Sequence, residues 1–236
     1  MIWRLIQGWG TESMPALLMQ LAAIVVVMFT ALPFHEFAHA WMAKKMGDNT
    51  AQMHGRLTLD PFKHLDAMGA LMLLVVGFGF AKPVPVNPRN FHNRKKGMLF
   101  TALAGPAANL VLAIPFALVL SVAMIALAAS PSDFTLLFFT FALHLLRLNI
   151  FLMVFNLIPM PPLDGFQIID FFLPVQASLW VHRNTHIIRW IFFGLVIFGL
   201  FTPIISFVAS PITGVFERGA LALARLAQPL AALVFA

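Results

Sequence analysis

The chain has 236 residues, 61% hydrophobic and 10% charged, with a mean hydropathy of +0.90 and a formal net charge of +6. A soluble domain of this length needs far less apolar residue, so the composition points to a polytopic membrane protein. The basic balance is no nucleic-acid signature, because Lys and Arg gather beside apolar spans as in cytoplasmic loops, and the lack of cysteine excludes thiol nucleophiles, thiolate ligands and disulfides.

Residues 1–14 are short and mixed, and Trp3 and Trp9, near Arg4 and Glu12, suit a membrane interface. The apolar run over 15–34 predicts a helix of about 30 Å, enough to cross a bilayer. It runs straight into a metal-type motif, so it is read as an uncleaved span rather than a signal peptide. Pro33 predicts a kink just before His35-Glu36-Phe37-Ala38-His39. Two histidines four apart on a helix differ by about 40° in direction, so both imidazoles leave one face and can share an ion. Glu36 is placed to take a proton from a metal-bound water. The bland alternative is a pair of hydrogen-bonded histidines with a protonated glutamate. Ionisable groups at the end of a hydrophobic span are costly, which favours the functional reading.

Lys44 and Lys45 mark the cytoplasmic side. Residues 47–66 are polar and turn-rich, and the alternation over 55–61 allows a short strand. The apolar stretch 68–80 is too short to span as a helix. Nine of the fifteen Lys and Arg flank it, namely Lys44, Lys45, Arg56 and Lys63 before and Lys82, Arg89, Arg94, Lys95 and Lys96 after. Both flanks are therefore cytoplasmic and the segment is expected to dip in and return, its backbone covered by protein or a water-filled cavity. Prolines 83, 85 and 88 hold 81–88 extended.

A span follows over about 98–129, with Gly105-Pro106 and Asn109 in its first half, where small residues permit close helix approach. Ser130-Pro131-Ser132-Asp133 makes an outer turn whose Ser132 or Asp133 can cap the next helix. That helix, 134–158, carries His144, Arg147, Asn149 and Asn156, the last two on one face. Pro159-Met160-Pro161-Pro162-Leu163-Asp164-Gly165 breaks it. A short interfacial helix over 166–175, a polar linker over 182–189 and a span over 187–207 follow. The tail, 215–235, reads equally as an interfacial amphipathic helix or a last packed helix.

A catalytic zinc site usually takes three protein ligands and keeps one position for water. The candidates for the third are His54, His64, His144, Asp164 and Asp170. Asp164 is favoured, because it follows a proline-broken end of a span and Gly165 lets the chain turn close to the ion. Counting crossings supports it: with 68–80 re-entrant, Asp164 returns to the side where His39 ends. Had that stretch crossed, the two would lie at opposite faces.

Taken together, His35-Glu36-Phe37-Ala38-His39, Phe80-Ala81-Lys82-Pro83-Val84-Pro85-Val86-Asn87, Ala104-Gly105-Pro106-Ala107-Ala108-Asn109 and Asn156-Leu157-Ile158-Pro159-Met160-Pro161-Pro162-Leu163-Asp164-Gly165 resemble the site-2 protease family of intramembrane zinc metalloproteases. The resemblance covers about residues 20 to 175. It implies that His35, His39 and Asp164 bind one zinc ion, that Glu36 is the base, and that Asn156 orients substrate or stabilises the oxyanion, a helix-packing amide being the competing reading. No stretch has room for the PDZ or CBS modules of larger relatives, so the chain resembles the compact branch.

The expected fold is an all-α bundle of about five to six transmembrane helices with a short re-entrant or β-hairpin segment on the cytoplasmic side. It forms one domain over 1–236, with its core at about 15–175 and a C-terminal span and tail over 186–236. The expected function is zinc-dependent hydrolysis of peptide bonds in transmembrane substrates, with lipid and no nucleic acid as surroundings, at the cytoplasmic side of a prokaryotic plasma membrane. A metal transporter would carry ligands along a path across the membrane, and an inactive substrate-binding relative would lack ligand or base. The converging ligands and intact Glu36 speak against both. No Gly-x-Ser-x-Gly elbow supports a serine hydrolase.

Overall fold

The computed structural model describes residues 14–76 and 81–234. Trp3, Arg4, Trp9 and Glu12, the Gly77-Phe78-Gly79-Phe80 stretch and Phe235 lie outside them. Helix α1 (Met14–Lys45) is apolar on all sides, continues through Pro33, and closes on Lys44 and Lys45. Two cations in a last turn complement the helix dipole.

Two single-turn helices follow, α2 (Thr50–Met53) and α3 (Pro61–His64). The strand expected over 55–61 does not form. Gly55 turns with φ 65° after α2, and Asp60 caps α3 by accepting from Phe62 N at 3.0 Å, with Pro61 at the first helical position. An Asp-Pro pair is a helix-start signal, and it overrode the short alternation.

Helix α4 (Ala67–Val76) starts on Asp66, whose Oδ1 accepts from Met68 N and Gly69 N at 3.0 and 2.9 Å. Its ten residues reach about 15 Å, half a bilayer. Leu65 pairs antiparallel with Ala81, and Lys82 N–H donates to His64 O at 2.7 Å. Residues 81 and 82 thus lie beside the start of α4. This isolated bridge is the only β pairing among the described residues.

Helix α5 (Arg94–Ala129) is capped by Asn93 and carries Pro106 and Pro115. Helix α6 (Asp133–Asn156) starts on a Ser132–Thr135 capping box. After the proline turn come α7 (Asp164–Asp170), α8 (Val175–Arg183), α9 (Thr185–Ile197) and α10 (Thr202–Val234). The linker expected over 182–189 is instead the junction of α8 and α9 at Asn184.

The span expected over 187–207 is likewise divided. Gly199 takes φ 70° between α9 and α10, a conformation that costs an L side chain and ends the helix. The ambiguous tail belongs to α10, which packs on α5 and α6. Four helices among the described residues are long and apolar enough to span: α1, α5, α6 and Thr202–Gln228 of α10. The architecture is the expected all-α membrane bundle with fewer full-length helices, because α9 stops after 13 residues.

The core lies where α1, α5 and α6 meet, built on Ala23, Val27, Ala31, Ala113, Leu120, Ala142, Leu146 and Ile150. Alanines let the backbones approach closely, which matters where lipid replaces water as the competing neighbour. Outward residues stay apolar, as with Val111, Ile114, Leu118 and Val122 on α5.

Candidate metal centre

His35 and His39 stand one turn apart on α1, both buried on the face toward α5. Their Nε2 atoms are 2.9 Å apart. Asp164 opens α7, where its carboxylate suits the helix N-terminus. Its Oδ2 lies 3.1 Å from His35 Nε2 and 3.3 Å from His39 Nε2. Three donors at about 2.0–2.2 Å from a tetrahedral zinc are about 3.3–3.5 Å apart, so this triangle is close to that of a three-ligand site.

The donor chemistry fits as well. His39 Nδ1 lies 2.7 Å from the Thr101 carbonyl. A carbonyl only accepts, so Nδ1 carries the proton and Nε2 keeps its lone pair for the ion.

Two glycines make the approach possible. A Cβ at Gly105 of α5 would collide with the His35 and His39 rings, so α5 lies directly against them. A Cβ at Gly165 would meet the Leu157 and Ile158 carbonyls, so α7 folds tightly under the end of α6. The turn between is closed by Met160 N to Ile158 O at 2.7 Å and Leu163 N to Met160 O at 3.0 Å. That fold-back carries Asp164 to the histidines.

Glu36 faces the extended run after Ala81, and its Oε2 accepts from Val84 N at 3.2 Å. Asn156, in the last turn of α6, donates its amide to its own helix at Leu152 O, 3.0 Å away. Asn149 is fully buried and donates to the Asn109 backbone carbonyl at 2.7 Å, which ties α6 to α5. Among the described residues His35, His39 and Asp164 are the single group of three able to hold a metal; His54, His64, His144 and Asp170 stay outside it.

Sequence reasoning missed Thr101, which acts through its backbone carbonyl, and Asp48. Asp48 is fully buried between Gly47 and Asn49 in a stretch read only as turn-rich. Burial raises its carboxyl, but bonds from Thr50, Asn87 and Asn90 prevail and hold it below its ordinary value.

Residues 23–200 match the profile of Peptidase family M50. YwhC of Bacillus subtilis (strain 168) is 39% identical over 196 residues, 80% of this chain and 84% of its own length. Rip2 of Mycolicibacterium smegmatis (strain ATCC 700084 / mc(2)155) is 33% identical over 153 residues, 62% of this chain and 56% of its own length. Both are designated "Putative zinc metalloprotease". No solved structure matches the chain.

Proposed function

The chain belongs to the site-2 protease family, peptidase family M50, and from that premise we propose a zinc endopeptidase that cuts transmembrane proteins within or at the cytoplasmic edge of a prokaryotic plasma membrane. That it is a metalloprotease and an integral membrane protein of bacterial type follows from the family and the four apolar helices. The carrying observation is the triangle of His35 Nε2, His39 Nε2 and Asp164 Oδ2, with edges of 2.9, 3.1 and 3.3 Å, next to Glu36.

His35, His39 and Asp164 would hold one zinc ion, which when bound supplies Lewis acidity to a water and to the scissile carbonyl. Glu36 takes the proton of the attacking water and passes it to the leaving amine. Asn156 orients the substrate or stabilises the oxyanion once its amide leaves the Leu152 carbonyl.

A helical substrate hides its peptide bonds and must unwind to be cut. The extended run over 81–88 offers it a strand partner. Prolines 83, 85 and 88 have no N–H, and Lys82, Val84 and Asn87 donate to His64, Glu36 and Asp48. The Ala81 and Val86 N–H groups have no partner among the described residues and are the donors left for an added strand. The chain bends at Leu57 and Thr58, which favours the 81–88 run over the segment around Leu57 as that partner. Proline placed in the substrate's would-be strand should block cleavage.

The test pairs zinc content with cleavage of a reporter transmembrane substrate in lipid bicelles. Wild type should hold one zinc per chain and cut, lose activity to a chelator and regain it with zinc. Glu36→Gln should hold zinc and cut only at a small residual rate. Wild type that is loaded yet only transports metal, or only binds substrate, would overturn the proposal.

A further inference from the structure

Asp48 lies three residues beyond the end of α1, fully buried, and no step above uses it. Both carboxylate oxygens are engaged. Oδ1 accepts from Thr50 N at 3.0 Å, Thr50 Oγ1 at 2.5 Å and Asn90 Nδ2 at 2.8 Å. Oδ2 accepts from Asn87 N at 2.7 Å. Asn90 N to Asn87 O, 3.0 Å, and Arg89 N to Asn87 Oδ1, 3.1 Å, close the turn that follows.

The other end of the run is tied as firmly. Lys82 N–H donates to His64 O at 2.7 Å, and the buried Arg56 guanidinium donates to the Lys82 carbonyl. Between the two anchors, Val84 N–H meets Glu36 Oε2 at 3.2 Å. Prolines at 83, 85 and 88 leave the run little slack. Where Val84 sits therefore depends on where Asn87 is held, and Asn87 is held by Asp48.

We propose that Asp48 is a positioning residue for Glu36, setting the line of the 82–87 run so that the Val84 amide aims the Glu36 carboxylate. The inference rests on the reading of Glu36 as the base. Glu36 stands on α1 and Asp48 just past its end, so the run braces the loop after the helix against the helix's own functional residue. A merely stabilising acid would have no reason to act on turnover separately from folding.

Asp48→Asn separates the two roles. Three donors converge on Oδ1 and one on Oδ2, so the variant keeps its oxygen on the Thr50 and Asn90 side and turns an amide toward Asn87 N–H, releasing that anchor. A displacement of about 1 Å at a reacting group costs on the order of 100-fold in rate, so kcat should fall by about that factor. KM should change little and zinc should stay at one per chain. Amide exchange across 82–90 should quicken. In a Glu36→Gln background Asp48→Asn should reduce the residual rate no further, because the two act through one group. Asn90→Ala, at an exposed position, is the milder variant should Asp48→Asn fold poorly, and should lower kcat in the same direction. A kcat loss that only tracks lost zinc, multiplying effects of the two substitutions, or unchanged exchange across 82–90 would overturn the proposal. If zinc-loaded wild type cuts nothing, the reading of Glu36 fails, and the exchange rates alone decide whether Asp48 governs the run.

Discussion

Gly105→Ala adds one methyl where α5 crosses the two histidines. An ideal Cβ there lies 2.5 Å from His35 Cε1 and 2.5 Å from His39 Cε1. Carbon atoms settle at about 3.5–4.0 Å, so the rings or the helix must yield about 1 Å. The rings have little room to yield. His39 is bonded to the Thr101 carbonyl on α5 itself at 2.7 Å, and His35 lies 3.1 Å from Asp164. Metal–ligand distances tolerate about 0.2 Å, so a 1 Å shift should cost zinc affinity about 10- to 100-fold. Overpacking should also destabilise the bundle by about 1–3 kcal/mol. This opposes intrinsic propensity, since Gly→Ala inside a helix otherwise stabilises by about 1 kcal/mol. Gly219→Ala on α10 is the control, because nothing lies within 4 Å of a Cβ built there. Zinc affinity by chelator competition and cleavage rate would be measured on both variants. Wild-type affinity and rate in Gly105→Ala, or an equal loss in Gly219→Ala, would refute the reasoning.

Gly165→Ala should be at least as damaging, because its Cβ would meet the Leu157 and Ile158 backbone rather than a movable side chain; zinc per chain after dialysis should fall well below one. Nearly midway along α6, Arg147 Nε and Nη2 lie 3.0 and 2.9 Å from Oε1 of Glu217 on α10. Double-mutant cycles of Arg147→Met and Glu217→Leu on thermal unfolding in bicelles should return a coupling of about 1 kcal/mol, and a value near zero would mean that the pair does not tie α10 to α6. Asp48 is held below its ordinary value of 3.8, so it contributes stability that is present above that value and lost as pH falls through its lower folded value. Acid unfolding of wild type should steepen across that window, and the Asp48→Asn curve should be flatter there.

How much was legible follows from the range of the forces involved. The two histidines were readable because their spacing of four residues fixes a common helix face, and Glu36 because it stands beside the first of them. Asp164 was reachable from 125 residues beyond His39 because crossings of a bilayer can be counted. The 55–61 strand was misread because a brief alternation carries less weight than an Asp-Pro helix start, and the 187–207 span because a single Gly199 with φ 70° divides it. Asp48 bonds Thr50 nearby, as turn acids commonly do, but its link to the run near Glu36 left no local signal, because Asn87 and Asn90 lie some forty residues on.

The amino-acid order by itself determined that this is an apolar helical bundle with a two-histidine helix face and an acid on the same side, since hydropathy, helical period and charge flanks are properties of short windows. Only the tertiary structure decided that three donor atoms meet within 3.3 Å, that a bare Gly105 backbone lies against both rings, and that a proline-stiffened run joins Asp48 to Glu36. Those depend on contacts between segments far apart in the chain, which no local pattern encodes.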